Sequence, residues 1–323
     1  MENNRAIITC GLIAALVISA IAFKKSFITP QKNKYTIGII QTASHPALDA
    51  ARDGFMSTLQ QKLGNDIGFT VSNGQGSINT LYSIAQQFHA RQDLDAVYAI
   101  ATPAAQAMAS VEKEKPIIIA AVTVAPELGI NFDQPNVCGV SDMINVRAEI
   151  EAMQQLLPNI KTVGVLFTAA ETNAVATSKV MITQLEKSGY TPISIGIASE
   201  SDIEPAVMSA LRKVDALLAP TDNTIANTVA LIADLARKAE KPFIVSDNML
   251  VKYGPLMARG VDYHHAGMDA ARIALQILVD HKKPYELPIA GAESKDIFVN
   301  MQTADALKIE IPENLKKYIV VIE

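Results

Sequence analysis

The sequence predicts an α/β fold made of two doubly wound parallel-sheet lobes, preceded by an N-terminal apolar helix. Three observations lead there. Short, nearly continuous apolar runs alternate with amphipathic stretches, once between Ile37 and Val140 and again between Val146 and Val245. Strands buried on both faces by helices have that pattern. The chain of 323 residues exceeds the usual size of one compact core, so two are expected. Aromatic content is 5%, which disfavours a sandwich of many short strands.

In the first set, Ile37–Gln41 is a predicted strand and Pro46–Leu63 a helix, with apolar residues at Ala47, Ala50, Ala51, Phe55 and Leu59. Phe69–Ser72 is the next strand, followed by the break Asn73-Gly74-Gln75-Gly76 and a helix over about 79–91. Ala96–Ile100 is a strand leading through Ala101-Thr102-Pro103 into a helix, with Pro at a favoured first helical position. Ile117–Val122 and Cys138–Val140 complete the set.

The second set runs helix 146–157, strand 162–167, helix 173–187, strand 193–197, helix 202–213, strand 216–219, helix 223–239 and strand 243–245. The tail holds a long helix over 264–281, a Pro-rich crossing at 284–288, a strand at 297–300 and a short helix near 303–307.

The N-terminus is a separate object. Ala6 to Phe23 is almost unbroken apolar sequence, with Arg5 before it and Lys24-Lys25 after it. It sits between a signal-peptide core and a membrane helix in length. Cleavage after Ala20 or Ala22 is expected, with a retained signal-anchor as the alternative. Residues 1–25 are therefore a signal peptide or signal-anchor and 26–34 a linker. Either way the remainder is exported, to the periplasm or the outer face of the cytoplasmic membrane, and the membrane is met only through 6–23 if that segment is kept.

Cys10 lies in the apolar run without a Leu three residues earlier, which argues against a lipoprotein; Cys138 then has no partner in the mature chain. No disulfide framework or four-cysteine metal site follows. The net charge is −5 with no long basic run, so nucleic acid is not an expected partner.

In open parallel sheets, ligands bind beyond the carboxyl ends of the strands, where helix N-termini present free N–H groups. The breaks there are rich in small hydroxyls, amides and a few carboxylates, a set suited to a small polar or zwitterionic molecule. Each Ser, Thr, Asp or Asn is singly an ordinary N-cap. Thr221-Asp222-Asn223 holds more polar groups than one cap needs. Thr102 serves equally as a helix start or as part of a carboxylate site.

His45 before Pro46 is read as a turn residue. His264-His265 lacks metal-ligand spacing, so no metal is expected. Gly-x-Ser-x-Gly, Walker A and Gly-x-Gly-x-x-Gly are absent, and nothing pairs Asp142, Glu171 and Asp222 as acid and base. No catalytic residue and no cofactor are expected. Phe167, Tyr82 and Tyr253 could stack on an aromatic side chain, though each suits a core better.

HPALDAARDGF (45–55), AIATPAAQAMA (99–109), CGVSD (138–142), LAPTDNTIAN (218–227) and GVDYHHAG (260–267) resemble the exported substrate-binding proteins of ABC transporters, in particular those that bind aromatic amino acids of the tryptophan/tyrosine type. The resemblance spans about Tyr35 to Ile311. It implies a type I periplasmic-binding fold with a three-crossing hinge. Lobe one would hold 35–142 plus 261–290, and lobe two 143–260 plus 291–323.

By that resemblance the ligand meets Ser44, Gln75, Ala101, Thr102 and Thr123, then Ser141 and Asp142. From lobe two it meets Glu171, Asn173, Thr221, Asp222, Asn223 and Ser246. Two departures matter. An acidic residue often precedes HPALD in that family, where this chain has Ser44, and an Asp follows AVT, where it has Val124. Both remove potential ammonium partners and leave Asp142, Asp222 or Glu171 to meet the positive end.

The expected function is solute capture for an ABC importer: a small polar or zwitterionic ligand, by the resemblance an amino acid of the aromatic type, closed between the lobes of a monomer and passed to permease subunits. The alternatives are a ligand sensor, membrane-anchored or soluble, that docks on a receptor, and, less favoured, a hydrolase or isomerase on the same fold. A transcription regulator is disfavoured, because an export segment stands where a DNA-binding helix-turn-helix would be.

Overall fold

The computed structural model describes residues 33–126, 129–291 and 296–322. The expected N-terminal apolar helix lies outside the described residues. Among the described residues no helix is long and apolar enough to cross a membrane.

Two sheets organise the fold. The first set of elements is β1 (Tyr35–Gln41), α1 (Pro46–Leu63), β2 (Ile67–Asn73), α2 (Ile78–Ala90), β3 (Ala96–Ile100), α3 (Thr102–Val111), β4 (Ile117–Val122) and β5 (Val137–Ser141). The second is α4 (Val146–Leu156), β6 (Thr162–Thr168), α5 (Thr172–Lys187), β7 (Thr191–Ile197), α6 (Ile203–Leu211), β8 (Ala216–Ala219), α7 (Asn223–Asn227), α8 (Val229–Lys238), β9 (Phe243–Asp247) and β10 (Met257–Val261). The tail adds α9 (Tyr263–Leu278), β11 (Ala290–Gly291), β12 (Ile297–Asn300), α10 (Met301–Ala306) and β13 (Ile319–Ile322).

The six-stranded sheet has the order β11-β5-β4-β3-β1-β2 and the seven-stranded sheet β13-β12-β10-β9-β8-β6-β7. The first is parallel throughout, and the second is parallel except where β10 meets β12. The chain passes between the sheets three times: after β5, after β10, and between Gly291 and Ile297.

Alternation explains why the strands are apolar throughout. In β3, Ala96, Tyr98 and Ile100 enter one core cluster, and Val97 and Ala99 enter the cluster on the opposite face. The second sheet divides likewise: Val163 and Val165 lie on one face and Leu166 on the other. Burying each large aliphatic side chain stabilises the fold by roughly 1.5–3 kcal/mol. Helices α1 and α9 touch through glycine: a Cβ on Gly54 would lie 2.3 Å from the His264 carbonyl oxygen, and one on Gly267 2.1 Å from that of Ala51.

Some elements differ from expectation for physical reasons. The helix expected over 223–239 breaks at Thr228, at φ −111°, ψ 11°. The Thr228 hydroxyl there donates to the carbonyls of Thr224 and Ile225, competing with the helical ladder. Strand β10 (MARGV) carries Arg259 and Gly260 inside its run, so its apolar signal is interrupted. The Cβ-less Gly260 packs on the Ser246 carbonyl, where a Cβ would lie 1.7 Å away.

Candidate functional site

The carboxyl ends of both sheets converge on one small cavity of ≈ 20 Å³. On the first-sheet side the backbone is strained: Ala101 has φ 75° and Ala121 has φ 55°, and both line the cavity. Non-glycine residues in that region cost on the order of 1–3 kcal/mol each, held only by the surrounding structure. Here the supports are explicit. Thr42 Oγ1 donates to the Ile100 carbonyl (3.1 Å) and accepts from Ala104 N (3.2 Å). Thr102 Oγ1 accepts from Thr123 N at 3.1 Å. Asp142 closes the chain, accepting from Thr123 Oγ1 at 2.9 Å and Tyr263 Oη at 3.0 Å.

On the second-sheet side Asp222 is the N-cap of α7. It accepts from Ile225 N and Thr168 Oγ1, each at 2.9 Å, and from Thr168 N at 2.6 Å. Glu171 lies behind it and accepts from Asn223 N, Asn223 Nδ2, Thr224 N and Thr224 Oγ1. Asn173 Nδ2 donates to the Thr221 carbonyl at 3.0 Å. Two side-chain bonds cross between the sides: at the cavity His45 and Asn223 meet Nε2 to Oδ1 at 3.2 Å, and toward the surface the Thr172 hydroxyl donates to Gln106 Oε1 at 3.3 Å. Because Asn223 Nδ2 is committed to Glu171, its Oδ1 faces the ring, so His45 Nε2 carries the proton and Nδ1 is a bare lone pair. Burial holds the imidazole below its ordinary pKa, which favours that neutral form.

Three carboxylates line the cavity, Asp142, Asp222 and Asp247, and no Lys or Arg does. Burial pushes Asp142 up to about 6 against the donors Thr123 and Tyr263. It pushes Asp247 up to about 7, helped by the nearby charges of Asp142 and Asp262. Asp222 is raised by burial and then by the Glu171 charge. Buried carboxylates without a counter-cation are poised to take one up. The remaining wall is apolar, with Leu48, Ile225, Val245 and Leu250. Among the described residues no cluster of three or more His, Cys, Asp or Glu suits a metal ion.

Of the residues expected at the site, Ala101, Asp142, Asn173, Thr221, Asp222 and Asn223 line the cavity. Thr102, Thr123 and Glu171 stand one layer behind and hold those groups. Ser141 Oγ accepts from Val124 N and Met143 N and braces the loop. Ser246 turns away, because its hydroxyl is drawn to the buried Glu149 and to the Ala219 carbonyl. Ser44 and Gln75 are exposed and bond only to Asn73, outside the lining.

The polar lining residues not expected at the site are His45, read as a turn residue, Asp247 and Tyr263. Asp247 follows the expected Ser246, and Tyr263 lies inside the quoted GVDYHHAG stretch. Tyr82 and Tyr253 are exposed and Phe167 packs against the core of the second sheet, so none of these rings lines the cavity.

The family model for ABC transporter substrate binding proteins matches residues 36–321, and this chain belongs to that family. Its fold is the type I periplasmic-binding architecture, with two α/β lobes joined by three crossings. A tyrosine-binding protein of Clostridioides difficile is 32% identical over 293 residues, covering 87% of this chain and 83% of that protein. A domain from Streptococcus pneumonia solved in complex with L-Trp is 30% identical, with a TM-score of 0.84 and coverage of 89% of this chain and 99% of that one. The ligand-free, open structure of a Clostridium difficile substrate-binding protein with adhesive properties is also 30% identical, covers 90% and 99%, and has a TM-score of 0.66.

At equal identity, this chain superposes more closely on the tryptophan complex than on the ligand-free open form. The family is one of binding proteins, so this chain is a binding protein for a small molecule and not an enzyme. It works with components of an ABC transporter, outside the cytoplasm.

Proposed function

We propose that this chain binds an α-amino acid with an aromatic side chain in the inter-lobe cleft and delivers it to the permease of an ABC importer. The observation that carries the reading is a buried cavity lined by three carboxylates and no cationic side chain. An ammonium group complements it, whereas an anionic ligand would be repelled. The names of the relatives, a tyrosine-binding protein and an L-Trp complex, support the aromatic class. The ligand carboxylate is assigned to the start of α3 at Ala101-Thr102, where the Thr102 N–H and the helix dipole favour an anion, the Ala104 N–H being held by Thr42 and Pro103 having none.

A cavity of ≈ 20 Å³ holds about one water, so an amino acid enters only when the lobes part. Capture is then a shift between open and closed forms, with the ligand binding the closed form better. The moving bodies are lobe one, 35–142 with 261–290, and lobe two, 143–260 with 291–323. The mature chain works as a monomer in the periplasm or on the outer face of the cytoplasmic membrane, with residues 1–25 as its export segment.

A thermal-shift screen of residues 26–323 against amino acids, nucleosides, sugars and vitamins tests this. A ligand at 100 times its dissociation constant adds ~2.7 kcal/mol of stability. Shifts with L-tryptophan or L-tyrosine are expected. Shifts only with a sugar, nucleoside or vitamin overturn the amino-acid reading.

A further inference from the structure

The donors and acceptors around the cavity are unequal in what they leave open. Four side-chain donors at its wall are committed, Asn223 Nδ2 to Glu171, Asn173 Nδ2 to the Thr221 carbonyl, the Tyr263 hydroxyl to Asp142, and His45 Nε2 to Asn223, which leaves the Thr221 hydroxyl as the open one. Two acceptors are buried without any partner, His45 Nδ1 and Asn173 Oδ1. Their residues are only 6% and 4% exposed. A third acceptor is Asp247, whose Oδ1 accepts from Met249 N while no described donor reaches Oδ2. All three residues line the same cavity. Leaving such groups unpaired costs about 1–3 kcal/mol each, more for a charged one.

Asp142 and Asp222 are different. Both oxygens of each accept from hydroxyl or backbone donors already. They supply negative field more than open hydrogen-bonding capacity.

We infer that His45 Nδ1, Asn173 Oδ1 and Asp247 Oδ2 form a three-acceptor cradle for a primary ammonium group, with one N–H directed to each. This rests on the amino-acid reading above and adds what that reading does not contain: the site counts N–H donors as well as charge. The cradle draws one acceptor from the first-sheet side and two from the second, so filling it ties the lobes together. His45 contributes twice, since its Nε2–H also bonds Asn223 across the cleft. The ring acts as a hydrogen-bond acceptor for the ligand only in its neutral Nε2–H form.

The test uses calorimetry on residues 26–323 with L-tryptophan, N-methyl-L-tryptophan and N,N,N-trimethyl-L-tryptophan. All three carry the positive charge, but they offer three, two and no N–H donors. With each hydrogen bond to a charged group worth ~1.5–3 kcal/mol, the monomethyl compound should bind about 10–100-fold more weakly and the trimethyl compound not measurably. In ¹⁵N spectra, L-tryptophan should shift the His45 Nδ1 resonance, assigned by its loss in His45→Gln. Comparable affinity for all three compounds, or an unmoved Nδ1 resonance on saturation, overturns the cradle and leaves the aromatic reading standing. Binding of L-leucine but of neither L-tryptophan nor L-tyrosine overturns the aromatic reading alone, and N-methyl-L-leucine then makes the same comparison. Binding of none of these amino acids overturns both.

Discussion

His45, at the end of the loop after β1, and Asn223, the first residue of α7, bond across the cleft at 3.2 Å, Nε2 to Oδ1. With the Thr172–Gln106 bond nearer the surface, this contact joins the two sides of the cleft through side chains. His45→Phe keeps a ring but removes the bond and leaves Asn223 Oδ1 unpaired. A net loss of about 0.5–1.5 kcal/mol from the closed form is expected, roughly 2–10-fold in affinity, and the loss of Nδ1 as an ammonium acceptor should weaken ligand binding beyond that. Small-angle scattering should show the ligand-free protein shifted toward a larger radius. An unchanged radius and affinity would show that closure does not depend on this bond.

The two carboxylates Asp222 and Asp247 should separate stability from binding. Asp222 caps α7 and bonds Thr168, so Asp222→Ala should destabilise the fold by about 1–3 kcal/mol, read as a lower denaturant midpoint. Asp247 accepts one backbone bond and is raised by burial. Asp247→Asn should therefore leave stability within about 0.5 kcal/mol, or raise it, while weakening amino-acid binding tenfold or more. Equal effects of both variants on stability and affinity would refute the division.

Stability and affinity should also move in opposite directions with pH. Asp142, Asp247 and Glu149 have folded values raised to about 6, 7 and 8, and Asp222 is raised too. The folded state thus holds protons that the unfolded chain has lost, so ligand-free stability should rise as pH falls from 8 toward 5. His45 works the other way: its folded value is lowered from 6.5, so its contribution is full above 6.5 and declines below it. Four carboxyl groups against one imidazole leave a net rise in melting temperature. Binding of an ammonium group needs ionised carboxylates and a neutral His45, which faces Asp49, Glu171, Asp142, Asp222 and Asp247. Affinity should therefore fall over the same interval. Calorimetric scans and titrations at pH 8, 6.5 and 5 check both signs.

Helix α1 bears on α9 through Gly54, where an added Cβ would lie 2.3 Å from the His264 carbonyl oxygen. Gly54→Ala should force the helices apart and cost about 1–3 kcal/mol, each kcal/mol lowering the melting temperature by about 2–4 °C. A melting temperature at or above that of the parent would mean that the helices slide without loss.

The central strands were legible because they are buried on both faces, which leaves an unbroken apolar run such as Ile117–Val122. Strand β10 was not, since Arg259 and Gly260 interrupt it. The site was legible as a set of loops but not atom by atom. Ser246 and Asp247 are adjacent, and strand alternation sends one side chain to Glu149 and the other to the cavity. Nothing in the residue types says which.

Local sequence determined the parallel-sheet class, the positions of the loops at the strand ends and the excess of acceptors among them. Periodicity and capping chemistry act over a few residues and are written in order along the chain. Only the tertiary structure decided that His45 meets Asn223, 178 positions away, and that buried carboxylates from both sides line one cavity with no described Lys or Arg among them. Those relations depend on how two sheets face each other, and burial then sets which tautomer and which charge state each group adopts.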